Sequence, residues 1–326
     1  LWIHLVATGL FAALVAVSQS PWVMAATLTV LGLAAGMYHP VGLSFITRSV
    51  RERSMAVGYH GMAGSLGTAI APALAVFIAR LWSWQGAYVV LGIVALLAAL
   101  AVFASRAREG MSTERAQPEQ APRPVERGRL LLAPLIAIFA VNMLGGFIYR
   151  GALTYLPLHL KENLGLHVLG ITPEDLAGYV ATIALVLGIG GQYIGGWLGE
   201  RVQREALLAP IALCILPFLV LIGVANGVAL VAAAGAFAFF NFMAQPAYTA
   251  LIADYSPSRV QGSAFGVAFF SAFGIGSFAG IFGGVVAERW STEWVFISLA
   301  AFEALIAVVA AWLYVAARRR ARTAAG

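Results

Sequence analysis

The stretch Ser105-Arg-Ala-Arg-Glu-Gly-Met-Ser-Thr-Glu-Arg-Ala-Gln-Pro-Glu-Gln-Ala-Pro-Arg-Pro-Val-Glu-Arg-Gly-Arg129 divides the chain. It holds six Arg, four Glu and three Pro, with almost nothing to bury. Burial cannot offset the entropy of ordering such a segment, so it reads as a mobile linker. On both sides the sequence turns strongly apolar. Of the 326 residues 61% are hydrophobic and 10% charged, with mean hydropathy +0.88. A water-soluble domain normally carries about a quarter charged residues, so the solvent for this chain is lipid. Leu1 to Val17 is apolar without a basic leader, so no cleavable signal peptide is read there, and a start other than Met suggests a missing beginning.

Ten apolar stretches reach the ~20 residues needed to cross a bilayer core. Four precede the linker, at about 1–18, 22–47, 55–79 and 84–104. Six follow it, at about 130–155, 176–198, 206–224, 228–252, 262–286 and 294–316. Their length and lack of period-two alternation predict helices, which satisfy every backbone group internally in lipid. Turn residues mark the breaks at Ser18-Gln19-Ser20-Pro21, Asn226-Gly227 and Ser256-Pro257, and Pro157 to Asp175 reads as a longer polar connection. The expected organisation is an all-α polytopic membrane protein with a four-helix part over 1–104, a linker over 105–129, a six-helix bundle over 130–317 and a tail over 318–326.

The cations set the orientation. With the linker in the cytoplasm, sixteen of the twenty Lys and Arg fall on that side, and Arg80, Lys161 and Arg289 on the other. Arg150 is left inside a span. The basic tail from Arg318 to Arg322 is then cytoplasmic, and the net charge of +6 serves topology and lipid headgroups rather than nucleic acid, for which no groove-binding motif appears. The lone Cys214 rules out a disulfide framework or a cysteine metal cluster. Catalytic signatures such as HExxH or GxSxG are absent, as is a phosphate-cradling loop, so neither an enzyme nor an ATP-driven pump is expected. No cofactor or metal is implied.

A shift of 208 residues aligns the two parts without a gap. Arg51 falls on Arg259, Gly58 on Gly266, Ala79 on Ala287 and Trp82-Ser83 on Trp290-Ser291. Parallel repeats of this kind mark secondary transporters, with the substrate held at the repeat interface near the midplane. The shift leaves 130–155 and 176–198 without partners, so a twelve-helix protein lacking its first two helices is expected, with a native ten-helix protein as the alternative.

These features resemble the major facilitator superfamily. Gly196-Trp-Leu-Gly-Glu200-Arg201-Val-Gln-Arg204 is similar to that family's loop signature G-x-x-x-D-R-x-G-R, with Glu200 for Asp and Gln203 for Gly. The resemblance implies a cytoplasmic gate in which a carboxylate at a helix end pairs with Arg or a helix N-terminus; a plain solvated helix end is the other reading. Arg201, Arg204, Asp254 and Arg259 join the gating candidates, with Asp254 expected to cap or to pair with Arg259. Gly58, Gly67, Ala71, Pro72 and Ala75 follow the spacing of the family's antiporter motif, which implies export by proton exchange; helix packing alone also selects small residues there. Gly36-Met-Tyr-His-Pro40 and Gly58-Tyr-His-Gly61 resemble the fosmidomycin-resistance branch. The resemblance implies two helical bundles working by alternating access on a small molecule, in a monomer of the bacterial inner membrane. Proton-coupled uptake of an anionic metabolite and a non-transporting scaffold or sensor remain the alternatives.

Ionisable and amide side chains within the spans are costly and mark candidate sites. Asn142, Gly146, Tyr149 and Arg150 share one helical face, and Asn241, Gln245 and Tyr248 form a polar stripe beside Pro246. With Tyr38 these are the substrate candidates, expected to line one cavity. Arg150 suits an anionic group held bidentately, or snorkels from its span end to the interface. His39 and Glu303 are the proton-coupling candidates, His39 because imidazole titrates near neutrality and Glu303 because it lies mid-span; His60 can also titrate but reads more simply as satisfied by a neighbouring helix.

The orientation is checked by labelling. In a Cys214→Ser chain, Gln120→Cys is expected to react with an impermeant maleimide in inverted vesicles and not in intact cells; labelling of intact cells contradicts it.

Overall fold

The computed structural model describes residues 2–111, 132–165 and 172–325. Most of the linker, residues 112–129, and the side chain of Pro72 lie outside this set. The described chain is helical throughout: α1 (Trp2–Val17), α2 (Pro21–Gly36), α3 (Tyr38–Ser49), α4 (Arg53–Leu81), α5 (Trp84–Met111), α6 (Leu132–Asn163), α7 (Pro173–Arg201), α8 (Arg204–Val224), α9 (Gly227–Tyr255), α10 (Gln261–Phe269), α11 (Phe278–Arg289) and α12 (Thr292–Ala325). A 3₁₀ turn, Ser258–Val260, precedes α10, and a π-helical turn, Phe270–Ile275, joins α10 to α11. Eight helical stretches are long and apolar enough to cross a membrane, counting 21–49 and 261–289 as one each. Trp2–Val17 is apolar but shorter, and α4 is the remaining helix of the ten expected spans.

The breaks follow from backbone chemistry. Pro40 has no N–H to give the Gly36 carbonyl, and α2 ends at Gly36 while α3 restarts at Tyr38. Thr172 caps α7: its Oγ1 accepts from the Asp175 N–H at 3.2 Å, and Pro173 takes the first helical position. Gly227 turns the chain from α8 into α9 at φ +58°, a conformation open chiefly to glycine. The linker read as beginning at Ser105 begins later, because α5 continues to Met111. The polar connection read from Pro157 also begins later. Residues 157–163 complete α6, with Pro157 inside the helix, where packed neighbours replace one lost backbone bond at modest cost.

The helices group into two compact units. Unit 1 comprises Leu1–Phe45 and Ile70–Arg127; unit 2 comprises Ile46–Ala69 and Gly128–Gly326. In unit 1, α1 crosses α5 at two glycines: a Cβ on Gly9 would lie 2.9 Å from the Gly92 carbonyl, and one on Gly92 3.0 Å from that of Gly9. In unit 2 the apolar core is built from α6, α8, α9 and α12, where Ile148, Leu160, Leu219, Ile222, Leu230, Phe296 and Leu299 are fully buried. Small residues bring the other helices onto this core. Gly191 and Gly195 set α7 against the α9 backbone at Phe239 and Met243, and Gly146 sets α6 against the π turn at Ala272. With lipid as solvent, such close packing stands in for the hydrophobic drive between helices.

At Gly195 any side chain would collide with the Met243 carbonyl. Overpacking typically costs ~1–3 kcal/mol, so Gly195→Val is expected to lower the thermal unfolding temperature in detergent. Gly67→Ala, with nothing within 4 Å of the added methyl, is expected to leave it unchanged.

Candidate functional site

At one end of unit 2 the start of α4 meets the end of α7, the start of α8 and the end of α9. Gly196 and Gly199 on α7 face Ser54, Met55 and Gly58 on α4, and a Cβ on Gly196 would lie 3.0 Å from the Ser54 carbonyl. This approach brings Glu200 to the α4 N-terminus, where its Oε1 accepts from the backbone N–H of Ser54 and, at 3.4 Å, of Met55. The unpaired N–H groups and positive dipole of a helix start favour a carboxylate there.

Arg204 locks the arrangement. Its Nε donates to Ser54 Oγ at 2.6 Å, Nη1 to Asp254 Oδ2 at 2.7 Å and Nη2 to Glu200 Oε1 at 3.1 Å. Arg53 Nη1 donates to the other Asp254 oxygen at 2.7 Å. Two cations and two anions thus balance in a cluster whose charged side chains are 18–27% exposed. Three of the gating candidates, Glu200, Arg204 and Asp254, meet here. Asp254 pairs with Arg53 and Arg204 rather than with Arg259, which lies in the 3₁₀ turn. Arg201 points elsewhere: it stacks on Trp197 at 4.1 Å and donates to the Trp197 carbonyl.

Further along the same helices, Gln192 is 2% exposed. Its Nε2 donates to Gln245 Oε1 at 3.0 Å, and its own Oε1 accepts from Ser65 Oγ at 3.3 Å. Gly61 leaves the room: a Cβ there would meet the Gln192 amide at 2.8 Å. Gln245 is therefore tied across α7 to α4. Asn241 and Tyr149 line a narrow apolar cavity with Leu156, Ala184, Phe237 and Phe242, where the rings of Tyr149 and Phe242 meet edge to face at 5.5 Å. Tyr248 is half-buried on α9, two turns beyond Asn241.

The face of α6 read as one polar stripe serves two neighbours. Tyr149 turns to α9. Asn142 is buried, and its Nδ2 donates to the Ala268 carbonyl at 2.6 Å. Arg150 lies over the Phe273 ring of the π turn at 4.8 Å, and its buried Nε has no hydrogen-bond partner among the described residues. A guanidinium with an unused donor beside a π turn, a geometry frequent at functional sites, can receive an anionic oxygen. Glu303 is 3% exposed on α12 and makes no hydrogen bond or ion pair among the described residues. In unit 1 the rings of His4 and Tyr38 lie 5.2 Å apart and those of Tyr38 and His39 5.4 Å apart.

Several polar residues here escape a sequence reading. Arg53 and Ser54 hide in a loop that looks like topology signal, and Gln192 in a glycine run; its amide in Gly190-Gly191-Gln192 was the available sign. His159 was passed over within the apparent connection after Pro157. Its spacing from Tyr155 and Asn163 by four residues each way was the helical signal.

Paired charge at helix ends and buried amides crossing between long apolar helices describe a polytopic membrane protein. The model of the Major Facilitator Superfamily matches residues 1–281 and 169–326, and the chain belongs to that superfamily. The Escherichia coli fucose:proton symporter FucP has a similar fold at 17% identity and TM-score 0.66, over 96% of this chain and 83% of that one. The human organic anion transporter MFSD10 is similar at 16% identity and TM-score 0.72, over 95% and 76%. A comparison with curated proteins gives no sequence match.

Removing the carboxylate from the helix start forfeits up to ~2 kcal/mol. In a Cys214→Ser chain, Met55→Cys is therefore expected to react with a maleimide on the order of tenfold faster when Glu200→Gln is added. An unchanged rate means the cluster does not hold α4.

Proposed function

We propose that this superfamily member is a proton-coupled secondary transporter of a small molecule bearing an anionic group, working by alternating access. The observation that carries the reading is Arg150, a half-buried cation over the ring of Phe273 in the π turn, whose buried Nε has no hydrogen-bond partner among the described residues. Guanidinium stays protonated at any cellular pH, so it can hold an anion but cannot carry the coupled proton. The Glu200–Arg204–Asp254 cluster serves as the cytoplasmic gate. Its charges are balanced and only partly exposed, so it can open by exchanging protein partners for water at modest cost. Tyr149, Asn241 and Tyr248 flank the substrate path in unit 2; Tyr38, in unit 1, is a separate candidate.

The proton is assigned to His39 or Glu303. His39 is a candidate because imidazole titrates near neutrality when solvated. Glu303 is a candidate because a proton on its enclosed carboxyl removes an unpaired buried charge, which is costly. Export by proton exchange is favoured by the small-residue spacing of α4. The packing of Gly58 and Gly61 against Gln192 gives part of that pattern a structural use, and uptake with protons is the second reading, supported by the anion-suited Arg150 and by the fucose:proton symporter as a fold neighbour. The bacterial inner membrane with a cytoplasmic C-terminus belongs to the same proposal.

In proteoliposomes, Arg150→Ala is expected to abolish counterflow of anionic substrates with insertion intact, and Arg150→Lys to restore part of it. Normal counterflow by Arg150→Ala overturns the anion assignment. An imposed pH gradient gives the direction: substrate moving against the proton flow supports exchange, and substrate moving with it supports uptake.

A further inference from the structure

At the opposite end of unit 2, three helix ends meet around a buried imidazole. His159 on α6 is fully buried, and its Nε2 lies 2.7 Å from the carbonyl of Ile222 in the last turn of α8. Its Nδ1 lies 2.7 Å from Oγ1 of Thr292, the first residue of α12. Thr292 Oγ1 lies 2.6 Å from Oε2 of Glu162, which is exposed. Phe296 closes the site, its ring 5.0 Å from the imidazole.

Counting protons decides what this chain holds. A carbonyl oxygen has none to give, so Nε2 of His159 carries a hydrogen and donates it to Ile222. Each of the two remaining contacts also needs one proton between its atoms, and the Thr292 hydroxyl brings only one. The second comes either from Nδ1, making His159 an imidazolium, or from Glu162, making it a carboxylic acid. Either way, both short contacts are bridged only when the chain takes up one proton beyond a neutral imidazole beside a carboxylate. Without it Nδ1 accepts from Asn163 Nδ2, 3.2 Å away, and one of the two contacts has no hydrogen.

We propose that Glu162, Thr292 and His159 form a proton-binding site, with Glu162 as its port to water and His159 as its buried acceptor. The ligand is a single proton taken from water at the Glu162 carboxylate. It passes through the Thr292 hydroxyl, which accepts one proton as it gives up another. The empty state has its own arrangement. Asn163 Nδ2 lies 3.2 Å from Nδ1 and can donate to it once the proton leaves, while Thr292 keeps its bond to Glu162. Among the described residues, the charged groups acting on His159 are Glu162 on its own helix and the exposed Glu293 of α12; α8 contributes the Ile222 carbonyl. The loaded site joins α6 to α12 twice, through His159–Thr292 and Thr292–Glu162, and the empty one keeps only the second of these bonds. The site is separate from His39 and Glu303 and stands whether or not either couples transport.

The test is the pH profile of thermal unfolding of the purified chain in detergent. A proton held in the folded state stabilises it at low pH and is lost as pH rises. The unfolding temperature is expected to fall through a one-proton step as pH rises to 8, by on the order of several degrees. Glu162→Gln supplies an amide that donates to Thr292 without the extra proton, so this step is expected to vanish while stability at pH 8 stays at or above wild type. His159→Gln is expected to remove the same step, and the double variant to add nothing further. Glu162 is exposed, so its variant remains informative even if His159→Gln fails to fold. A Glu162→Gln profile parallel to wild type up to pH 8, or a step that survives His159→Gln, overturns the site and leaves Thr292 a structural bridge only.

Discussion

The contact between the Glu200 carboxylate and the amide groups at the start of α4 is the constraint on which the charge cluster at this end of unit 2 depends. It exists because Gly196 and Gly199 give α7 no side chain where α4 must pass. With the backbones this close, one carboxylate reaches two N–H groups that no residue within α4 can satisfy. Arg204 then has a fixed anion on one side and Asp254 on the other, and Arg53 completes the balance. The glycines and the charges of the signature are therefore one device: each glycine matters for the distance it allows, and each charge for the helix end it meets.

The same logic runs deeper along α7. Gly191 and Gly195 hold it against α9, while Gly58 and Gly61 of α4 receive the Gln192 amide. Gln192 links Ser65 on one neighbour to Gln245 on the other. An amide in lipid must find partners, and here it finds them on two helices at once. Such bonds give modest energy but fix register, which a stripe of glycines by itself leaves free to slide.

Most of the fold is legible in the sequence because lipid admits few solutions: long apolar stretches become helices, and Pro40, Pro173 and Gly227 mark where they begin or break. The misreadings have one cause. Polarity after Pro157 suggests the end of a helix, although α6 continues to Asn163 because Leu160 and Leu164 still face the core. Charge proximity along the chain suggested Asp254 with Arg259, whereas folding brings Arg53 from 201 positions away. The stripe of Asn142, Tyr149 and Arg150 was visible by period, but not its division between α9 and the π turn, since periodicity gives a face and not its neighbours. The π turn itself adds a residue to one helical turn and has no marker in composition.

The polar groups of unit 2 divide by whether their charge can change. Arg204, Arg53 and Arg150 are permanent cations, and what varies around them is the partner: carboxylates for the first two, a ring face and an open donor for the third. Such groups can hold or release an anion but keep no record of pH. His159 and Glu162 differ, since their hydrogen-bond chain is complete only with one added proton. The charge cluster lies at the start of α8 and the His159 chain at its end, so each can respond to a different stimulus. The two need not compete, because the helices between them are bound by backbone contacts at glycine and by an apolar core. Under the two proposals above, a proton lost from His159 would remove one of two α6–α12 bonds without discharging the Glu200 cluster, and an opened cluster would leave the imidazole buried.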